Sequence, residues 1–156
     1  MKWVLIRHEE AEPAGAEGDE GRCLTALGRR RMHAQARALF DRLPGLDRIV
    51  TSPLVRAVQT AEILVGAFDL DTPVDVVSEI AYPSHPRALR GVLERRPTPM
   101  GVVALVGHEP TLSAFATSML SGSSIDGFRT GQACLLDIEG GRVTFDSSLR
   151  GGEELS

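Results

Sequence analysis

The sequence is short of several residue types on which whole function classes depend. Its two cysteines, Cys23 and Cys134, lie far apart and form no CxxC pair. Neither a disulfide framework nor a cysteine metal site is indicated, and two free thiols are expected. Lysine is nearly missing: Lys2 is the single lysine among 17 basic residues. Against 21 acidic residues these leave a net charge of −4, without the basic footprint of a nucleic-acid binder. The run Arg29-Arg30-Arg31 reads as the solvated face of a helix. No apolar run approaches membrane-spanning length. The start, Met1 to Arg7, is too short for a signal-peptide core and is followed at once by Glu9, Glu10 and Glu12. The expectation is a cytoplasmic protein with no nucleic-acid or membrane partner. No repeat, low-complexity tract or linker divides the chain, so one domain over residues 1–156 is expected.

What is present is an alternation of short apolar runs with helical patterns. Strands are predicted at 3–6, 48–51, 74–77 and 102–106, the last apolar throughout as a central strand should be. Helices are predicted from about 25 to 43 with Thr25 as cap, from Ser52-Pro53 onward with Ser52 as cap, from Pro86 to Arg95, and from Thr111 to Leu120. Residues 133–138 and 142–145 read as a hairpin around Gly140-Gly141. The tail after Arg150 is expected to be loosely ordered. Together these predict an α/β three-layer sandwich: a mostly parallel central sheet, helices on both faces and a C-terminal antiparallel hairpin.

Three of the predicted strands deliver basic residues at or just beyond their C-terminal ends. Arg7-His8 closes the first, Gly107-His108 closes the 102–106 strand, and Arg56 lies one helical turn beyond Ile49-Val50. Ligands of open α/β sheets bind at such ends. The helix starts there offer unpaired N–H groups to an anion, with the backbone of Glu109 a candidate donor. Arginine adds a forked, permanently charged donor set matched to phosphate oxygens. A tetrahedral anion that gains charge during transfer is the ligand such a site suits.

Other chemistries fit less well. His8-Glu9 and His108-Glu109 are both His-Glu pairs, but neither continues to HExxH, and nearby arginines disfavour a cation; no metal is expected. Ser52 lacks the GxSxG elbow of a hydrolase nucleophile.

Arg7-His8, the LTxxG of Leu24 to Gly28, the segment SPLVRAVQTAE from Ser52 to Glu62, and VGHEP from Val106 to Pro110 together carry a resemblance. They resemble the histidine phosphatase superfamily, and within it the SixA-like branch of phosphohistidine phosphatases, over residues 3 to about 120. The resemblance implies that His8 is a nucleophile phosphorylated in passing, that Arg7, Arg56 and His108 hold the phosphoryl oxygens, and that no cofactor is needed. Neighbouring arginine charge is expected to keep the His8 imidazole neutral and able to attack.

The chain departs from that family's pattern at one place and leaves another open. Glu9 stands where the usual motif has glycine, a carboxylate that either narrows the pocket or turns away from it. The general acid is open: Glu79 sits roughly where many relatives carry theirs, with Glu9 and Glu10 as other candidates. A site with a weak acid still suits phosphohistidine, whose P–N bond is labile and whose imidazole leaves near neutrality. Only about twenty residues separate Glu79 from the 102–106 strand, too few for the lid of mutase-like relatives. The partner expected is therefore a phosphohistidine-bearing protein. A phosphomonoesterase for a small phosphorylated metabolite (a sugar or nucleotide phosphate) and a non-catalytic phosphate- or phosphoprotein-binding module are the alternatives.

Overall fold

A computed structural model describes residues 1–69, 71, 74–98 and 101–156. The elements in chain order are β1 (Lys2–Arg7), α1 (Ala26–Arg42), β2 (Arg48–Thr51), α2 (Val55–Phe68), β3 (Asp75–Val76), α3 (Pro86–Glu94), β4 (Val102–Gly107), α4 (Thr111–Met119), β5 (Ala133–Glu139), β6 (Arg142–Arg150) and β7 (Glu153–Leu155). The strands form one sheet in the order β3-β2-β4-β1-β5-β6-β7. The first four run parallel, and β5 to β7 are antiparallel to their neighbours.

Period-two alternation along the strands divides the core into two layers. Val4, Ile6, Ile49, Ala104 and Val106 pack under α1 and α2 with Met32, Leu39 and Leu64. Trp3, Leu5, Val50, Val103 and Leu105 face the other way, under α3 and α4, with Leu89, Leu112 and Phe115. This is the three-layer α/β sandwich the sequence predicts. β4 is buried along its whole length because both layers cover it. Among the described residues no helix is long and apolar enough to cross a membrane.

Four local expectations need correction. Ser52 does not cap α2, which begins at Val55; its hydroxyl accepts from Leu54 N in a turn before the helix, and Pro53 stays outside it. The strand predicted at 74–77 pairs only over Asp75 and Val76, and a single helical turn, Ser78–Ile80, follows. Strand β6 runs on to Arg150, well past the predicted 145. The C-terminal tail is held: Glu153–Leu155 pairs with β6, Gly152 N–H donates to Gln35 Oε1, and Arg42 pairs with Glu154. Gln35 is buried mid-helix, and its amide also donates to the carbonyls of Gly131 and Leu149, so one side chain ties the tail and the β5 approach to α1.

Candidate active site

The C-terminal ends of β1, β4 and β2 lie side by side, with Arg7 opposite Gly107 and Thr51 opposite Val106. The segment after β1 is clamped by side chains from α1 and α2. Thr25 caps α1 by accepting from Gly28 N–H at 2.9 Å and donates its own proton to Glu10 Oε2. Gly28 is obligatory in this arrangement, since a Cβ there would overlap the Glu10 carbonyl. Gln59 Oε1 accepts from Leu24 N–H, and Thr60 Oγ1 accepts from Glu9 N–H. The Thr25, Gly28, Gln59 and Thr60 positions of the two motifs thus fix the backbone that follows His8.

His8 is buried, and its two ring nitrogens have opposite partners. Nδ1 lies 2.8 Å from the carbonyl of Glu9, an acceptor only, so Nδ1 carries the proton. Nε2 receives the Arg56 Nε–H at 3.2 Å and so presents its lone pair. The His8 pKa is pushed down to about 4, first by burial and then by the charges of Arg56, Arg7 and Arg22; the Glu9 carbonyl opposes the shift. Burial therefore outweighs the arginine charge to which the sequence reading assigned the effect.

His108 stands beside it, ring centroids 5.2 Å apart. Its pKa is pushed down to about 3 by burial, with His8 and Arg56 adding to the shift. Its Nε2 lies 2.6 Å from the buried Ser52 hydroxyl, and its Nδ1 is buried without a partner. Arg7 donates from Nη1 to the carbonyl of Phe128, while its buried Nε is likewise unpartnered. Burial lowers the Arg7 pKa, and the carboxylates of Glu109 and Glu9 oppose that shift. Two buried, unpartnered nitrogens, Arg7 Nε and His108 Nδ1, thus belong to residues that line a pocket together with the neutral His8 imidazole.

The pocket has a volume of about 480 Å³ and gathers Arg7, His8, Arg56, His108 and Glu109, with Glu10, Asp19, Arg22, Tyr82 and Thr130 around them. Larger cavities lie elsewhere, about 780 Å³ around Ile125 and Phe145 and about 540 Å³ between α1 and α2, but neither contains a buried histidine. Among the described residues no three of His, Cys, Asp or Glu are grouped to hold a metal ion.

Glu79 is not brought to the pocket. It lies on the turn after β3 with its carboxylate 55% exposed and paired to Arg95 at 2.9 Å. Glu9 is fully buried but turned away: its Oε1 accepts from Glu10 N–H and its Oε2 lies against Gly131. The carboxylates that do reach the pocket are all engaged. Asp19 pairs with Arg56 and Arg22, Glu10 accepts from Thr25, and Glu109 accepts from Ser113 N–H and its hydroxyl. The Arg22 and Arg56 pairs hold the Asp19 carboxyl below its ordinary pKa although partial burial works against them.

Asp19 and Arg22 were missed by sequence reasoning. They belong to a polar loop whose contact with Arg56 spans 37 positions, and no local pattern announces it. Tyr82, edge-on to His108 with ring centroids 6.0 Å apart, was missed for a similar reason.

Comparison with known proteins places this geometry. The model of the histidine phosphatase superfamily (branch 1) matches residues 3–81. An uncharacterized protein of Picosynechococcus sp. is 33% identical over 126 residues, 80% of this chain and 76% of that one. The structure of the protein histidine phosphatase SixA complexed with tungstate superposes with a TM-score of 0.88 over 97% of each chain, at 22% identity. A protein from Agrobacterium tumefaciens, described as a phosphohistidine phosphatase SixA, gives 0.79 at 26% identity, covering 95% of this chain and 97% of that one. The fold also occurs in a mycobacterial glucosyl-3-phosphoglycerate phosphatase, with a TM-score of 0.73 and 19% identity over 93% and 95% of the two chains.

Proposed function

The chain belongs to the histidine phosphatase superfamily, with its SixA-like members, and from that membership and the site geometry we propose that it removes phosphate from protein phosphohistidine through a phosphoenzyme on His8. The observation that carries this reading is that every carboxylate in the pocket already has a partner, so none is spare to protonate a strongly basic leaving group. A phosphohistidine needs none: with its free ring nitrogen protonated by solvent, it departs as neutral imidazole.

In the first half-reaction the His8 Nε2 lone pair attacks phosphorus as the substrate P–N bond breaks. Arg56 Nε, whose N–H meets that lone pair, transfers its hydrogen bond to a phosphoryl oxygen. Arg7 and His108, with their unpartnered N–H groups, take the others. Because the Glu9 carbonyl keeps the Nδ1 proton in place, phospho-His8 is a cationic imidazolium whose own leaving group is neutral imidazole. Water then attacks phosphorus, the Nε2–P bond breaks, and inorganic phosphate leaves with one water proton released to solvent. The second half, like the first, requires no carboxylic acid.

A phosphomonoesterase for small metabolites is the second reading, favoured by a pocket of about 480 Å³, larger than a phosphoryl group alone fills. The binding-module alternative depended on Glu9 intruding on the anion, and Glu9 does not line the pocket. The deciding experiment is hydrolysis of a phosphohistidine peptide beside p-nitrophenyl phosphate, by wild type and His8→Ala. Preference for the P–N substrate, lost in the variant, supports the proposal. Preference for the ester moves the protein to the second reading, and turnover that survives in His8→Ala removes the phosphoenzyme.

A further inference from the structure

The bond between Ser52 and His108 does more than join two motifs. Ser52 is fully buried just beyond β2, and its Oγ already accepts the Leu54 N–H at 3.2 Å. The hydroxyl proton needs an acceptor, and among the described residues the one within reach is His108 Nε2 at 2.6 Å. Were Nε2 the donor instead, Ser52 would accept twice and its own buried proton would have no partner. The hydroxyl therefore donates and Nε2 accepts.

The consequence falls on the far side of the ring. A neutral imidazole with a lone pair on Nε2 carries its single proton on Nδ1. In His108 that nitrogen is buried and without a protein partner, on a ring that lines the pocket beside His8. The opposite tautomer would offer a lone pair there, which repels a phosphoryl oxygen. Whether His108 attracts or repels an anion is thus decided by a residue that does not touch the anion.

We propose that Ser52 is a positioning residue that sets the tautomer of His108, holding its proton on Nδ1 as a donor to the phosphoryl group. This rests on the phosphoryl-site reading above, but not on which phosphorylated substrate is used. It also gives the serine that opens SPLVRAVQTAE a role separate from nucleophile and from helix cap.

The test is the 15N spectrum of the histidine rings in wild type, Ser52→Thr and Ser52→Ala, together with inhibition by inorganic phosphate and orthovanadate. Wild type and Ser52→Thr are expected to show His108 protonated at Nδ1. Ser52→Ala is expected to gain the Nε2–H form and bind orthovanadate roughly tenfold more weakly, with Ser52→Thr close to wild type. Protonation of wild-type His108 at Nε2 would overturn the proposal without any variant being needed. So would a folded Ser52→Ala that keeps the Nδ1 proton and full vanadate affinity. If wild type shows the Nδ1 tautomer but binds neither anion, the phosphoryl-site reading fails, and with it the proposed donor role; the tautomer itself is still measured.

Discussion

Gly131 and Glu9 share one space: the buried Glu9 carboxylate fills the volume that a Cβ on residue 131 would need. Gly131 also has φ of 73°, where side chains are strained, and its N–H donates to the carbonyls of both Arg7 and His8. The glycine that allows the departure at position 9 thus itself supports the backbone of His8.

Gly131→Ala is therefore expected to lose roughly 1–3 kcal/mol of stability, from backbone strain and overpacking together. Activity should fall with it, because the disturbed N–H holds the His8 backbone. Adding Glu9→Gly should recover part of the stability by removing the group that clashes. Denaturant unfolding of the two singles and the double gives the coupling directly. Strict additivity would mean that the two residues do not share the space.

Acid should act through two histidines that the fold keeps neutral. In the proposed mechanism His8 attacks only in its neutral form, so with its pKa near 4 instead of 6.5 the rate should not fall through the ordinary histidine range. Stability behaves differently. Both His8 and His108 have folded pKa values below the ordinary histidine value of 6.5, near 4 and 3, so in the window below 6.5 the unfolded chain binds protons that the folded chain refuses. Their contribution is complete above that window and drains away as pH falls through it. Urea midpoints at about pH 7.5 and about pH 5 read this, while the rate is followed in parallel. Equal midpoints would mean that the rings titrate normally.

Much of the site was legible because its residues stand next to pattern breaks. Arg7, His8 and His108 each end an apolar run, and Arg56 follows one by a helical turn, so a parallel sheet brings them to one edge. LTxxG and QT were legible as motifs, but their work became visible only with Gly28 against the Glu10 carbonyl and Thr60 beneath Glu9. Three things stayed hidden. Glu9 could point either way, and Gly131, more than a hundred residues distant, decides which. Asp19 reaches Arg56 only through the folded course of the loop. The tail looks featureless by composition and becomes a strand because β6 offers an open edge and Gln35 a buried acceptor.

Asp19 occupies donors of Arg56 that a phosphoryl group would otherwise use. Its carboxylate accepts from Arg56 Nη2 at 3.2 Å, and its backbone carbonyl accepts from Nη1 at 2.9 Å. Asp19→Asn removes the charge but leaves the carbonyl contact, so the loop remains tied. Phosphate and orthovanadate should then inhibit several-fold more strongly, since a like charge has left the pocket and an arginine is less occupied. Weaker inhibition in a folded variant would show instead that the carboxylate orients Arg56 for the anion.

Glu79→Gln is expected to leave both stability and turnover unchanged. Its partner Arg95 meets it through both carboxylate oxygens, at 2.9 and 3.0 Å, yet both side chains are more than half exposed. Such a pair is worth at most about 1 kcal/mol. Glu79 was an acid candidate because, just after the strand predicted at 74–77, it sits roughly where many relatives of the family carry theirs. The structure places Glu79 on the short turn Ser78–Ile80 that follows, with its carboxylate on Arg95 instead of in the pocket. The demanding substrate is an alkyl phosphate, whose leaving group needs a proton far more than imidazole does. A loss confined to that substrate would mean that Glu79 leaves Arg95 and enters the pocket during turnover, and it would favour the small-metabolite reading over phosphohistidine.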